Sequence, residues 1–396
     1  MLLPSQHQEL SPSQHEVVLP NGRLQVSVTR SAWGLPRLCA FAARNNPRRG
    51  FLFVSKVLGK HWPSAPEEMH STHSELALPL PAPRGRPVLF IGMAETATGL
   101  GQGVFEAYLT RHGPGSAVYV QTTRYPMSRT QTVDFEESHS HAQKLRLHLP
   151  EHPALRHAFL HAQQLVLVDD ELSTGSTFLA LISAYRRVNP HFEQASIVSL
   201  TDFMGADAHL YFRQNASNAS VDFVSLLEGS FEFEPDPSFR AAKPAPAQAP
   251  VGCRRDFMGP SSARLGTDQP LSLPEALIDA LSARLPTGRP ILVLGSGEFM
   301  HPAWCLGSVL AGRGVDIRVQ STTRSPILLG ADISSRIELQ DPYGEGIPNY
   351  LYNVDPVSYG AVLLCCEAPP SPALADAAER LSAEIVRPRP TTRTVA

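Results

Sequence analysis

The residues of this chain best suited to chemistry stand between positions 165 and 177. There Leu165-Val166-Leu167-Val168 runs into Asp169, Asp170 and Glu171, and then into Ser173, Thr174, Gly175, Ser176 and Thr177. The short apolar run reads as a buried strand, and the apolar stretch after Thr177 reads as a helix. Successive backbone N–H groups at a helix start form a concavity for a phosphate. Gly175 permits close approach, and the hydroxyls around it add donors. Acids directly upstream would repel that phosphate, so their work is to accept hydrogen bonds from ribose hydroxyls or to support a sugar cation. Together the two parts suggest a phosphorylated ribose. An ordinary capped helix after a strand accounts for Ser173 or Thr174, but it leaves three adjacent acids unexplained.

A strand, turn and helix of this kind must belong to a larger sheet, and the chain carries the pattern of one twice. Arg86-Pro87-Val88-Leu89-Phe90-Ile91-Gly92 leads through a small-residue loop and a helical stretch to Val118-Tyr119-Val120-Gln121-Thr122-Thr123-Arg124-Tyr125-Pro126. Arg289-Pro290-Ile291-Leu292-Val293-Leu294-Gly295 does the same and arrives at Val319-Gln320-Ser321-Thr322-Thr323-Arg324-Ser325-Pro326. The run before Asp169 has its counterpart in Ala361-Val362-Leu363-Leu364-Cys365-Cys366-Glu367, so three ordered pairs recur at an offset of about 200 residues. Short apolar runs alternating with helix-length amphipathic stretches are the pattern of a mainly parallel sheet covered by helices on both faces. The expected fold is α/β, with two tandem doubly wound domains, the second a degenerate pseudo-repeat of the first. Ligands in such sheets sit beyond the carboxyl ends of the strands. The domains are placed at residues 16–235 and 271–388, joined over 236–270 by a Pro/Ala-rich tether whose composition favours an extended polyproline conformation.

Length and composition fit this division. At about 150 residues per domain, 396 residues make two to three domains' worth of chain. Charged residues at 18% and apolar residues at 42% describe a globular chain. With 34 Lys+Arg against 37 Asp+Glu the net charge is −3, so no overall positive field draws in nucleic acid. No apolar run reaches the roughly 18 residues of a membrane helix, and Pro4 interrupts the start before a signal-peptide core forms. A cytoplasmic protein without a membrane partner is expected. Cys39, Cys253, Cys305, Cys365 and Cys366 lack the short paired spacings of a structural zinc site, so they read as reduced, buried thiols and no metal ligand is assigned.

The segment at 165–177 closely resembles the binding motif for 5-phosphoribosyl-1-pyrophosphate (PRPP) in type I phosphoribosyltransferases: a hydrophobic strand, two acids and a Thr/Ser-Gly-x-Thr phosphate loop. The resemblance assigns Asp169 and Asp170 to the ribose hydroxyls with Glu171 beside them, and Ser173, Thr174, Gly175, Ser176 and Thr177 to the 5′-phosphate. It also implies that the loop after the first repeated strand, with Glu95, Thr96, Ala97, Thr98 and Gly99, binds pyrophosphate. Arg124 is placed to reach the same group, since a guanidinium grips two phosphoryl oxygens at once. A dinucleotide-binding reading of Gly99, Gly101 and Gly103 fails because these glycines come late after their strand. The polar segment from Tyr125 to His148 resembles the loop that closes over substrate and excludes water. Its His139 and His141 are candidate proton donors or phosphate contacts, with a metal site and a plain solvent-facing role as the other readings.

Residues 46–61 and Thr323-Arg324-Ser325-Pro326 resemble a narrower bacterial group associated with tellurium-resistance operons. In it a phosphoribosyltransferase-like domain is followed by a domain named after its Thr-Arg-Ser-Pro motif. This implies a biosynthetic enzyme passing 5-phosphoribosyl from PRPP to an unidentified small-molecule acceptor, with Mg²⁺ carried in on PRPP. Lys56, Lys60 and His61 would meet anionic substrate or form an amphipathic edge element. The second copy has Cys365-Cys366 opposite Asp169-Asp170 and Ala368-Pro369-Pro370 where the phosphate loop would follow. Proline has no amide to donate, so this copy is expected to have lost PRPP. Gly297, Glu298 and Arg324 then hold another ligand, such as the acceptor, or serve structure alone. The rival from another class is a non-catalytic PRPP-binding module that regulates or recruits a partner. A homodimer is left open.

Overall fold

The computed structural model describes residues 10–44, 49–127, 130–136, 144–240, 258 and 262–388. The first unit contains the strands β1 (Ser13–Leu19), β2 (Gly22–Ser31), β3 (Cys39–Ala43), β4 (Phe51–Ser55), β5 (Val88–Gly92), β6 (Ala117–Gln121), β7 (Thr132–Glu136), β8 (Lys144–His148), β9 (Gln164–Val168), β10 (Glu171–Leu172), β11 (Gln194–Asp202) and β12 (Ser220–Pro235). Its helices are α1 (Leu35–Leu38), α2 (Pro66–Ala77), α3 (Thr98–His112), α4 (Pro153–His161), α5 (Ser176–Arg186) and α6 (Gly205–Asn215). The main sheet runs in the order β1-β2-β12-β11-β9-β5-β6, with β10 added alongside β11. From β12 to β6 the pairs are parallel, and the β1-β2 hairpin closes one edge in antiparallel fashion. Burial explains the difference in sequence. Helix-covered β5 and β9 are apolar almost throughout, whereas β2 alternates, burying Leu24, Val26 and Val28.

The polar stretch compared with a closing loop contains a hairpin, β7 against β8, with Val133, Phe135, Leu145 and Leu147 all buried. A period of two places these four on one face. His139 and His141 lie outside the described residues.

The second unit comprises α7 (Glu275–Ser282), β13 (Ile291–Gly295), α8 (His301–Gly312), β14 (Ile317–Ser321), β15 (Arg336–Leu339), β16 (Asn349–Tyr352), β17 (Ala361–Cys365), α9 (Pro372–Arg380) and β18 (Ala383–Val386). Its four-stranded sheet has the order β14-β13-β17-β18 and is parallel throughout. Helix α9 begins as its sequence dictates: Ser371 Oγ accepts from Leu374 N at 3.2 Å, and Pro372 follows in the first turn.

The two units share one apolar cluster in which Leu100 and Phe105 of α3 belong together with Met300, Trp304 and Leu306. Ser64 and Val319 exchange backbone hydrogen bonds of 2.9 and 2.8 Å, so a first-unit segment covers the open edge of β14. The expected tether is corrected at its C-terminal end. Arg264 is 0% exposed, and Thr267 exchanges backbone bonds of 2.8 and 2.9 Å with Tyr119 of edge strand β6. An edge strand has unpaired N–H and C=O groups, and this stretch satisfies them. No helix among the described residues is long and apolar enough to cross a membrane.

Candidate active site

Strand β9 delivers Asp169 and Asp170 at the carboxyl end of a central strand, and α5 starts at Ser176. Between them Gly175 adopts φ 69° and ψ 0°, and a Cβ there would lie 2.6 Å from Phe212 Cδ2. Glycine is therefore required both by the left-handed backbone and by the close ring. The first amides of α5 have no intrahelical acceptor. Thr174 is exposed, and Ser173, Ser176 and Thr177 are partly exposed, so the bend is open at the surface. Asp169 Oδ1 accepts from Asp170 N at 2.9 Å, and Glu171 pairs with Arg49. Burial pushes the Asp170 carboxyl up, against the opposing Asp169 hydrogen bond and the Arg49 charge. Glu171 is likewise raised by burial, with Arg49 opposing.

The loop after β5 faces the second unit. Glu95 is buried there; it accepts from Lys60 Nζ at 3.0 Å and from Arg324 Nε at 3.2 Å, with Arg324 N at 3.4 Å. In the other direction, Glu298 from the loop after β13 accepts from Arg124 N at 3.0 Å and from Thr123 Oγ1 at 2.6 Å. Each unit's loop glutamate thus binds the Thr-Thr-Arg turn of the other. The local frames match too, since Ala94 N donates to Thr122 Oγ1 at 2.8 Å and Gly297 N to Thr322 Oγ1 at 2.9 Å. Burial alone would raise Glu95, but Lys60, Arg324 and Arg124 outweigh it and hold this carboxyl at about 2. Its charge is committed to the boundary between the units. Thr96 remains partly exposed, while Thr98 Oγ1 donates to Glu298 O at 3.1 Å and Gly99 packs against Met300.

A second charged cluster completes that boundary. Arg264 Nη1 donates to both Glu367 oxygens at 2.8 and 3.0 Å, and Arg264 Nε donates to Glu298 Oε2 at 3.0 Å. Tyr343 stacks on Tyr125 with centroids 5.0 Å apart and donates through its hydroxyl to Ser296 O at 3.0 Å. Arg324 lies 5.0 Å from the Tyr125 centroid and bonds Glu345 at 2.5 Å. Two carboxylates share Arg264, and burial prevails at Glu367, pushing it up to about 7. A carboxyl raised in the folded state binds its proton more tightly there than in the unfolded chain. Stability is then full below the ordinary value of 4.5 and falls as pH rises toward 7, by at most about 3 kcal/mol. In urea unfolding at about pH 5 and about pH 8, Glu367→Gln is expected to flatten this fall. An unchanged slope would show that Glu367 is not the titrating group.

The remaining expected contacts divide by place. Lys56 Nζ donates to Pro36 O at 3.0 Å and lies over Trp62. Lys60, only 1% exposed, donates to Gly297 O at 2.8 Å. Burial, reinforced by Lys60, pushes the His61 imidazole down to about 3. Residues 56–61 form no strand, yet Gly59 O accepts from Ser321 N of β14 at 2.8 Å, so this segment lies along the edge of the second sheet. Arg124 is partly exposed and acts electrostatically on Glu95. Sequence reasoning passed over Arg264, Glu367 and Arg49 as site residues, and it read Tyr343 to Tyr350, with Glu345, as a substrate-facing loop of the second copy, where Glu345 instead pairs with Arg324. Proline-rich composition hid Arg264. The repeated Gly-x-x-Glu of residues 92–95 and 295–298 was the available signal for the reciprocal glutamates.

A parallel α/β sheet that ends a central strand in two acids and then opens a helix through a hydroxylated left-handed turn has the layout of a phosphoribosyltransferase. Residues 38–230 match the family described as phosphoribosyl transferase, and the chain belongs to this class of pentosyltransferase enzymes. More particularly, residues 262–383 match the TRSP domain, described as C-terminal to that transferase domain, so the chain is a phosphoribosyltransferase-like protein of the TRSP-bearing kind. Among solved structures, adenine phosphoribosyltransferase from Thermoanaerobacter pseudethanolicus is 19% identical over 49% of this chain and 97% of its own, with a TM-score of 0.32. The Trypanosoma brucei adenine enzyme, in complex with AMP, pyrophosphate and ribose-5-phosphate, is 13% identical over 48% and 77%, with a TM-score of 0.33. Orotate phosphoribosyltransferase from Mycobacterium tuberculosis is 14% identical over 41% and 70%, with a TM-score of 0.22. Likenesses this distant say nothing of substrate. No curated protein matches the sequence.

Proposed function

We propose that this protein transfers the 5-phosphoribosyl group of PRPP to a small-molecule acceptor. The bond from the anomeric carbon to the pyrophosphate oxygen breaks, a bond to the acceptor nucleophile forms, and the acceptor gives up a proton. The observation that carries this reading is the succession at the end of β9: two carboxylates, then a left-handed glycine, then an exposed helix start. Asp169 and Asp170 hold the ribose hydroxyls and stabilise the developing sugar cation; residues 173–177 take the 5′-phosphate. Arg124 and the loop of residues 96–99 meet pyrophosphate through amides other than that of Ala97, which donates to Met93 O at 3.0 Å. The Glu95 carboxylate anchors that loop to the second unit and leaves pyrophosphate to the amides.

Mg²⁺ fits this arrangement, because it prefers oxygen ligands and retained waters and because a cation nearby relieves the partly buried Asp170 carboxyl. Bound on PRPP, it neutralises charge on the leaving group. The C-terminal unit reads as a degenerate second copy without PRPP: its strand order β14-β13-β17 parallels β6-β5-β9, and Cys365-Cys366 and Pro369-Pro370 stand where acids and phosphate amides are needed. A cytoplasmic setting and a biosynthetic role linked to tellurium-resistance-type operons complete the proposal, the latter resting on the motif resemblance alone.

The test is incubation of the purified protein with isotope-labelled PRPP and a cell-extract metabolite pool, followed by mass spectrometry. A labelled phosphoribosyl product with matching pyrophosphate is expected. PRPP bound without either product would favour the non-catalytic module, and no binding at all would overturn the donor site.

A further inference from the structure

We propose that Glu106, His301 and Cys305 form a site for one zinc-like divalent cation that clips the two units together. His301 and Cys305 lie one turn apart on α8 and share a face, and Glu106 comes from α3 of the first unit. His301 Nε2 is 2.8 Å from Glu106 Oε1 and 3.2 Å from Cys305 Sγ, and all three donor atoms lie within 4.8 Å of one another. Ligands at about 2.0–2.3 Å from a tetrahedral zinc stand about 3.3–3.8 Å apart. The donor atoms therefore need only small movements to admit the ion.

The donor types select the cation. An imidazole, a thiol and a carboxylate together suit zinc and its borderline neighbours, whereas Mg²⁺ and Ca²⁺ favour oxygen alone. His301 and Cys305 are 2% and 7% exposed. Without a cation the cluster is an incomplete hydrogen-bond network. Glu106 Oε1 also accepts from Leu271 N at 2.9 Å and faces Gln102 Nε2 at 3.5 Å. His301 Nε2 has at most one proton for two neighbours, while its Nδ1 is buried and unpartnered. Cation binding would expel the thiol proton to solvent and leave a bound thiolate. Three protein ligands leave a fourth position open to water. The site stands apart from residues 169–177, so it does not depend on the donor reading.

The test uses the full chain after chelator treatment, titrated with Co²⁺ and then Zn²⁺. The expected result is stoichiometric cobalt binding with a near-ultraviolet thiolate-to-cobalt band that zinc abolishes. Cys305→Ser should remove the band and weaken zinc binding by about 100-fold or more, and Glu106→Gln should weaken it about 10- to 100-fold. Cys365→Ser should leave both unchanged. Circular dichroism checks that each variant is folded, and Glu106→Gln replaces Cys305→Ser if the serine variant does not fold. Absence of the band in the wild-type chain, its survival in folded Cys305→Ser, or unaltered zinc affinity in Glu106→Gln would overturn the proposal.

Discussion

Combining Asp169→Asn with Asp170→Asn is expected to weaken PRPP binding about 100- to 10,000-fold while leaving the circular dichroism spectrum unchanged. A hydrogen bond to a charged group contributes about 1.5–3 kcal/mol, so two carboxylates account for about 3–6 kcal/mol at 1.36 kcal/mol per tenfold. The fold should survive for local reasons. An asparagine oxygen can still accept the 2.9 Å bond from the backbone at position 170, and both positions are only partly buried. Burial already opposes the Asp170 charge, so its removal relieves the ligand-free protein. Titration calorimetry with PRPP and Mg²⁺ measures the effect. Undiminished affinity with an intact spectrum would remove Asp169 and Asp170 from the donor site.

The second large effect concerns stability. Arg264→Met leaves Glu298 and Glu367 buried without their shared cation, and removing one partner of a buried ion pair typically costs about 3–5 kcal/mol. Methionine fills similar space, so the loss reports charge more than volume. The double variant Arg264→Met/Glu367→Gln should recover part of the loss, because it removes one of the stranded charges. Urea unfolding of the three proteins decides the matter. A loss below about 1 kcal/mol for Arg264→Met would mean that water reaches the cluster and replaces the guanidinium.

Residues 165–177 were legible because chain connectivity alone fixes their geometry. A strand end, a left-handed glycine and a helix start follow one another covalently, so residue type and spacing carry the shape. The parallel sheets were legible for a similar reason, since strands buried on both faces, such as β5 and β9, leave continuous apolar runs. The β7–β8 hairpin was also written in the alternation of Val133, Phe135, Leu145 and Leu147, though surrounding polar residues obscured it.

The sequence by itself therefore determined the buried parallel strands and the strand, glycine turn and helix start of residues 165–177. Only the tertiary structure decided that the loops after β5 and β13 meet, that Glu95 is spent on Lys60 and Arg324, and that Arg264 reaches Glu367 across 103 positions. The convergence of Glu106 and His301, 195 positions apart, is of the same kind. Coulomb attraction and desolvation depend on separation in space and on the surrounding medium. Neither quantity is encoded in the spacing of residues along a chain.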